Sequence, residues 1–158
     1  MPTLADKFAE LSPDAKRRAH FVLGRHGLEK WRDYCAANPV MHYVESVCGT
    51  HQSVDVSLPE DAFVCAERAC DDRQVARRYR EPIAAMQDDD LEIPETVAFA
   101  FYAIYNLFNK YAKNEPVDAW LIVNQSLSSE EEGPLWRALL ESAIKDASNH
   151  RVALRLLV

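Results

Sequence analysis

The stretch "PETVAFAFYAIYNLFNKYAKN", residues 94–114, fixes more about this chain than any other. Val97, Phe101, Tyr105, Phe108 and Ala112 recur three or four residues apart and form one helical stripe. Phe99, Tyr102 and Tyr111 widen that stripe around the helix. A helix apolar on so many sides must be covered by other elements, so it predicts a central helix with neighbours packed on it. Pro94 suits its opening.

The rest of the chain reads as helices to cover it. Gly is scarce, at 4 in 158 residues, and the longer apolar patterns repeat near 3.6 rather than 2. A short first helix is expected from Leu4 to Leu11, with Thr3 as N-cap. Ser12 and Pro13 open a long helix through residue 38, with Ala15, Ala19, Val22, Leu23, His26, Trp31 and Tyr34 marking its inner face. Gly24 and Gly27 each weaken it by about 1 kcal/mol against Ala, so they mark a close helix contact or a bend. Residues 39–57 are rich in β-branched side chains and read as an irregular connection with an extended piece. Ser57 and Glu60 fit a capping box for a helix from Leu58 to near Cys70. Residues 71–87 predict another helix, bent at Pro82. Pro116 starts a further helix with Trp120, Val123 and Leu127 inward. Ser128 or Ser129 caps the last long helix, whose first turn holds Glu130, Glu131 and Glu132. The expected fold is all-α: one compact helical bundle spanning residues 1–158, with an irregular segment around residues 39–57.

Charge narrows the function. Residues 1–80 carry 12 basic and 12 acidic side chains, whereas residues 81–158 carry 6 and 13. The net charge of -7 therefore lies wholly in the second half. That balance argues against nucleic acid, which needs clustered Lys and Arg, and favours a basic protein partner. The basic runs at residues 16–18 and 77–80 sit beside acidic residues and read as solvated faces or internal pairs. No apolar run approaches the ~20 residues that span a bilayer, and the charged start lacks the apolar core of a secretory signal. Cys35, Cys48, Cys65 and Cys70 are scattered, which predicts reduced thiols in the cytoplasm.

Acidic residues are the strongest site candidates. "QDDDLEIPE" holds Asp88, Asp89, Asp90, Glu92 and Glu95, and a second cluster holds Glu130, Glu131 and Glu132. Neighbouring carboxylates on one strand or helix point apart, so a triple Asp makes a poor metal cage, and no metal or cofactor is expected. The plain reading of both clusters is a wet loop and a favourable first helical turn. The sharper reading is a surface that occupies a basic cleft. Cys48 lies three residues before His51, which invites a thiol nucleophile and base, but no thiol-enzyme motif surrounds them. His20 and His26 are six apart, which is not metal-pair spacing, and Cys65 and Cys70 lack CxxC spacing.

The stretch "VAFAFYAIYNLFNKYAKNEPVDAWLIVNQSLSS", Val97 to Ser129, resembles the immunity proteins of bacterial polymorphic-toxin, type VI secretion and contact-dependent inhibition systems. Those are small, acidic, cytoplasmic and often helical. The resemblance implies a non-catalytic inhibitor that binds a cognate toxin and blocks it, and it supplies no residue to carry over. The expected contact, drawn from charge alone, is Asp88, Asp89, Asp90, Glu92 and Glu95, with Glu130, Glu131 and Glu132 as a second patch against a basic active-site cleft. Tyr102, Tyr111 or Trp120 would supply an anchor if one reaches the surface. The rival readings are a small enzyme built on Cys48 and His51, and a helical scaffold or regulatory subunit.

Overall fold

The computed structural model describes residues 1–44, 49, 51–87, 91–130 and 133–156, with the side chains of 44 and 150–156 left aside. In chain order it runs α1 (Leu4–Ala9), α2 (Pro13–Ala37), β1 (His42–Val44), β2 (His51–Ser53), α3 (Leu58–Glu67), α4 (Arg73–Gln87), α5 (Glu95–Tyr111), α6 (Ala119–Ser128) and α7 (Gly133–Leu156). The fold is mainly helical, as the periodicity predicts.

Local chemistry sets most boundaries. Thr3 caps α1 by a full capping box with Asp6, each side chain taking the other's backbone N–H. The Ser12 hydroxyl accepts from the Ala15 N–H, and Pro13 fills the first position of α2. Three expected starts differ. Ser57 makes no cap bond, because it already has helical dihedrals; its hydroxyl and N–H both donate to Asp55 Oδ1. α6 starts at Ala119 rather than Pro116, since the Asp118 carboxylate accepts from the Trp120 N–H and sets the N-cap there. Ser128 and Ser129 do not cap α7. Their hydroxyls donate to Asn124 O and Ser126 O, which closes the end of α6, and Glu130 precedes α7.

The residues before α3 form an antiparallel pair, with His42 opposite Ser53, Tyr43 opposite Gln52 and Val44 opposite His51. This hairpin is the extended piece expected in residues 39–57. Its Tyr43 is buried, and the Tyr43 hydroxyl donates to Glu81 at 3.4 Å.

α5 is central. Ala100, Phe101, Ala103, Ile104, Leu107 and Phe108 are fully buried. α2, α3 and α6 are its main neighbours. The two glycines of α2 explain how closely α2 approaches. A Cβ on Gly24 would lie 3.0 Å from Leu107 Cδ2, and one on Gly27 3.6 Å from the Ala100 backbone. The glycines mark a close contact, so their helix-propensity cost is offset by packing.

Two apolar clusters share α2 and α6. One joins Leu28 and Trp31 to the hairpin, α3, α4 and α5. The other joins Ala15, Ala19 and Leu23 to α1, α6 and α7 through Phe8, Val123, Leu127 and Leu140. Pro82 lies inside α4 and is buried.

Tyr79 of α4 carries a strain on this core. Its ring packs on Phe101 at 4.9 Å and Tyr105 at 5.0 Å, but its buried hydroxyl has no hydrogen-bond partner among the described residues. Burial drives its pKa well above the usual tyrosine value. Leaving such a group unpaired costs about 1–3 kcal/mol, so Tyr79→Phe is expected to stabilise the fold by about 1 kcal/mol or more. The check is a higher urea midpoint at unchanged slope; a lower midpoint would mean that the hydroxyl is satisfied.

Candidate functional site

Glu92 and Glu95 are exposed and make no ion pair among the described residues. The connection carrying them is pinned by Leu91, whose side chain is buried and whose N–H donates to Ala85 O at 3.1 Å. Glu95 is the first residue of α5, where the positive helix end favours its charge. Asp88, Asp89, Asp90, Glu131 and Glu132 lie outside the described residues.

Glu130 is placed differently. Its carboxylate accepts from Lys30 Nζ at 2.6 Å and His26 Nε2 at 2.8 Å, and only 7% of its side chain is exposed. Lys30 above all holds its pKa below the usual value; His26 adds to this, while burial opposes both. Glu130 therefore ties the chain before α7 to α2 and is not a free rim carboxylate.

Three contacts fix the direction of the central layer. His20 of α2 meets Tyr111 and Ala119, the end of α5 and start of α6. Gly27 meets Ala100, and Trp31 meets Phe101 at 5.0 Å. His26 and Lys30 meet Glu130, just past α6. So α2 runs antiparallel to α5 and parallel to α6. Glu130 and the pair Glu92 and Glu95 thus lie toward the same end of the layer. Exposed Val40 follows α2 at this end, and exposed Val56 accepts from Trp31 Nε1 through its carbonyl.

Trp120 stands at the other end. With Leu4, Lys7, Trp136, Arg137 and Glu141 it lines an open cleft of about 460 Å³. It reaches the surface, but some 15 Å of helix α6 separate it from Glu130. Trp136 joins this cleft only because α7 meets α1, which no local pattern in the sequence shows. Tyr111 is turned inward: its hydroxyl bonds His20 and its ring lies under the Arg17 guanidinium at 5.4 Å.

Internal pairing explains which charges remain. Arg25 pairs with Glu67 and Arg32 with Glu60, and Arg78 bridges Asp55 and Asp61. The balanced first half spends its charges on holding α2, α3 and α4 together. The carboxylates of the second half have few cations of their own to meet.

No family model, no curated protein and no solved structure matches this chain.

Among the described residues no group of three or more His, Cys, Asp or Glu side chains is placed to hold a metal ion. None of their helices is long and apolar enough to cross a membrane. His51 is exposed on β2, and Cys48 lies outside the described residues.

Proposed function

We propose that this protein is an immunity protein that binds a cognate bacterial toxin and covers its basic active-site cleft. The observation that carries this reading is the exposed pair Glu92 and Glu95, in the half of the chain that holds the whole net charge. They make no ion pair among the described residues and lie toward the same end of the layer as the exposed, apolar Val40 and Val56. Asp88, Asp89 and Asp90 adjoin that pair in sequence and would extend the surface. Carboxylates at such a rim speed encounter with a basic partner and reject wrong ones, while apolar side chains inside the rim resist dissociation. Glu130 acts in this reading by holding the chain before α7 on α2.

The test is co-purification with the product of the adjacent gene, followed by binding measurements at low and high salt. The wild type is expected to form a complex whose partner is toxic alone. Glu92→Lys with Glu95→Lys is expected to weaken Kd more than tenfold at low salt, mainly through a slower on-rate, and less at high salt. Asp88–Asp90 changed to Lys should add to that loss. Equal affinity for wild type and variants at both salts would sink the acidic surface; absence of any partner for a folded bait would sink the immunity reading.

A further inference from the structure

α3 ends in a way that brings two cysteines together. After Glu67 and the C-cap Arg68, Ala69 turns left-handed at φ 52°. The Ala69 N–H donates to Ala66 O at 3.2 Å, and the Cys70 N–H donates to Cys65 O at 2.9 Å. These are the two bonds of a Schellman motif, whose outer pair of residues commonly make a side-chain contact. Here that pair is Cys65 and Cys70. The 2.9 Å bond bounds their separation. Adding the Cα-to-oxygen and N-to-Cα spans of the two residues gives at most about 6.8 Å between the Cα atoms, and any bend shortens it. Disulfides span Cα distances of about 4.4–6.8 Å.

Their surroundings divide the labour. Both thiols are free; Cys70 is exposed and Cys65 half-buried against the first apolar cluster. Cys35 sits half-buried on another helix, and burial pushes its thiol up to about 11. It has no thiolate to offer near neutral pH. Burial, Asp72 and the neighbouring Cys70 also raise the Cys65 thiol, so Cys70 is the entry point.

We propose that Cys65 and Cys70 form a dithiol modification site that small disulfides such as oxidised glutathione convert to an intramolecular disulfide stapling the end of α3. The Cys70 thiolate attacks one glutathione sulfur and one glutathione thiolate leaves. The Cys65 thiolate then attacks Cys70 Sγ and expels the second. The two protein thiols lose two electrons and two protons, and the small disulfide is reduced to two thiols.

The experiment incubates the folded protein with oxidised glutathione, quenches with an alkylating reagent and maps the peptides by mass. In the wild type a linked Cys65–Cys70 peptide, lighter by two hydrogens, is expected, with Cys35 alkylated. In Cys65→Ser, Cys70 should instead accumulate as the glutathione mixed disulfide, and in Cys70→Ser, Cys65 should stay reduced. Thermal melts of both serine variants confirm that they fold. A mixed disulfide at Cys70 that persists as much in the wild type as in Cys65→Ser, or no loss of free Cys70, overturns the proposal.

Discussion

Phe101→Ala is expected to cost about 3–5 kcal/mol, roughly a fifth or more of the ~5–15 kcal/mol that holds a domain of this kind together. Phe101 is fully buried at the centre of α5. Its ring lies 5.0 Å from Trp31 and 4.9 Å from Tyr79, so one side chain joins α5 to both α2 and α4. Truncation removes its own apolar contacts and leaves a cavity between two aromatic rings that cannot both move in. One is held by its indole N–H on Val56 O, the other by Phe101's own neighbour Tyr105. Leu135→Ala, at a half-exposed position on α7, should stay within about 0.5 kcal/mol. Urea unfolding followed by far-UV circular dichroism gives both values. Similar midpoints for the two variants would show that α5 is not the element around which the rest packs.

That centrality is readable in residues 94–114 because a helix with apolar side chains on most faces has nowhere to go but inside. The small residues next to the stripe were less visible. Ala100 and Ala103 are fully buried, Ala100 where Gly27 of α2 passes close by, and a stripe drawn on large side chains omits them. Caps were legible where a side chain had one option, as with Thr3 and Ser12. They failed where two polar groups competed: Asp55 captured Ser57, and Asp118 overrode Pro116. For the candidate site, local sequence showed the charge but not the partner. Glu130 looks like Glu92 in composition, and only the approach of α2 through His26 and Lys30 separates a structural carboxylate from one that makes no ion pair among the described residues. The sequence offers Trp120, with Tyr102 and Tyr111, as an anchor if one reaches the surface; Trp120 does, yet the directions of α5 and α6 put it at the far end of the layer from Glu95.

His20 sets how the fold responds to acid. Its spacing from His26 excludes a metal pair without revealing a core position. In the fold it is fully buried between α2, the end of α5 and the start of α6, with Phe8 at 5.4 Å. Nε2 lies 2.8 Å from Ala119 O, which can only accept, so Nε2 carries the proton. Nδ1 is then an acceptor for the Tyr111 hydroxyl at 2.7 Å. The neutral ring satisfies both bonds. Charging it would bury a cation, and Lys110 and Lys16 add repulsion, so its pKa falls to about 4 although the Ala119 bond favours the charged form. Because the folded pKa is depressed below the unfolded value of 6.5, the unfolded chain takes up the proton first as pH falls. His20's contribution is therefore complete above pH 6.5, is lost as pH falls toward 4, and stays lost below that. The total is about 3 kcal/mol, most of it gone by about pH 4.5. Glu130 and Asp55, whose pKa values are lowered, lose their contributions only below the ordinary carboxylate values of 4.5 and 3.8, so the two windows separate. Unfolding free energies measured from pH 7 to 4.5 should fall by about 2–3 kcal/mol in the wild type and stay nearly level in His20→Gln. Gln keeps an N–H for Ala119 and cannot titrate. Parallel slopes for the two proteins would place the acid sensitivity elsewhere and leave His20 as a neutral packing residue.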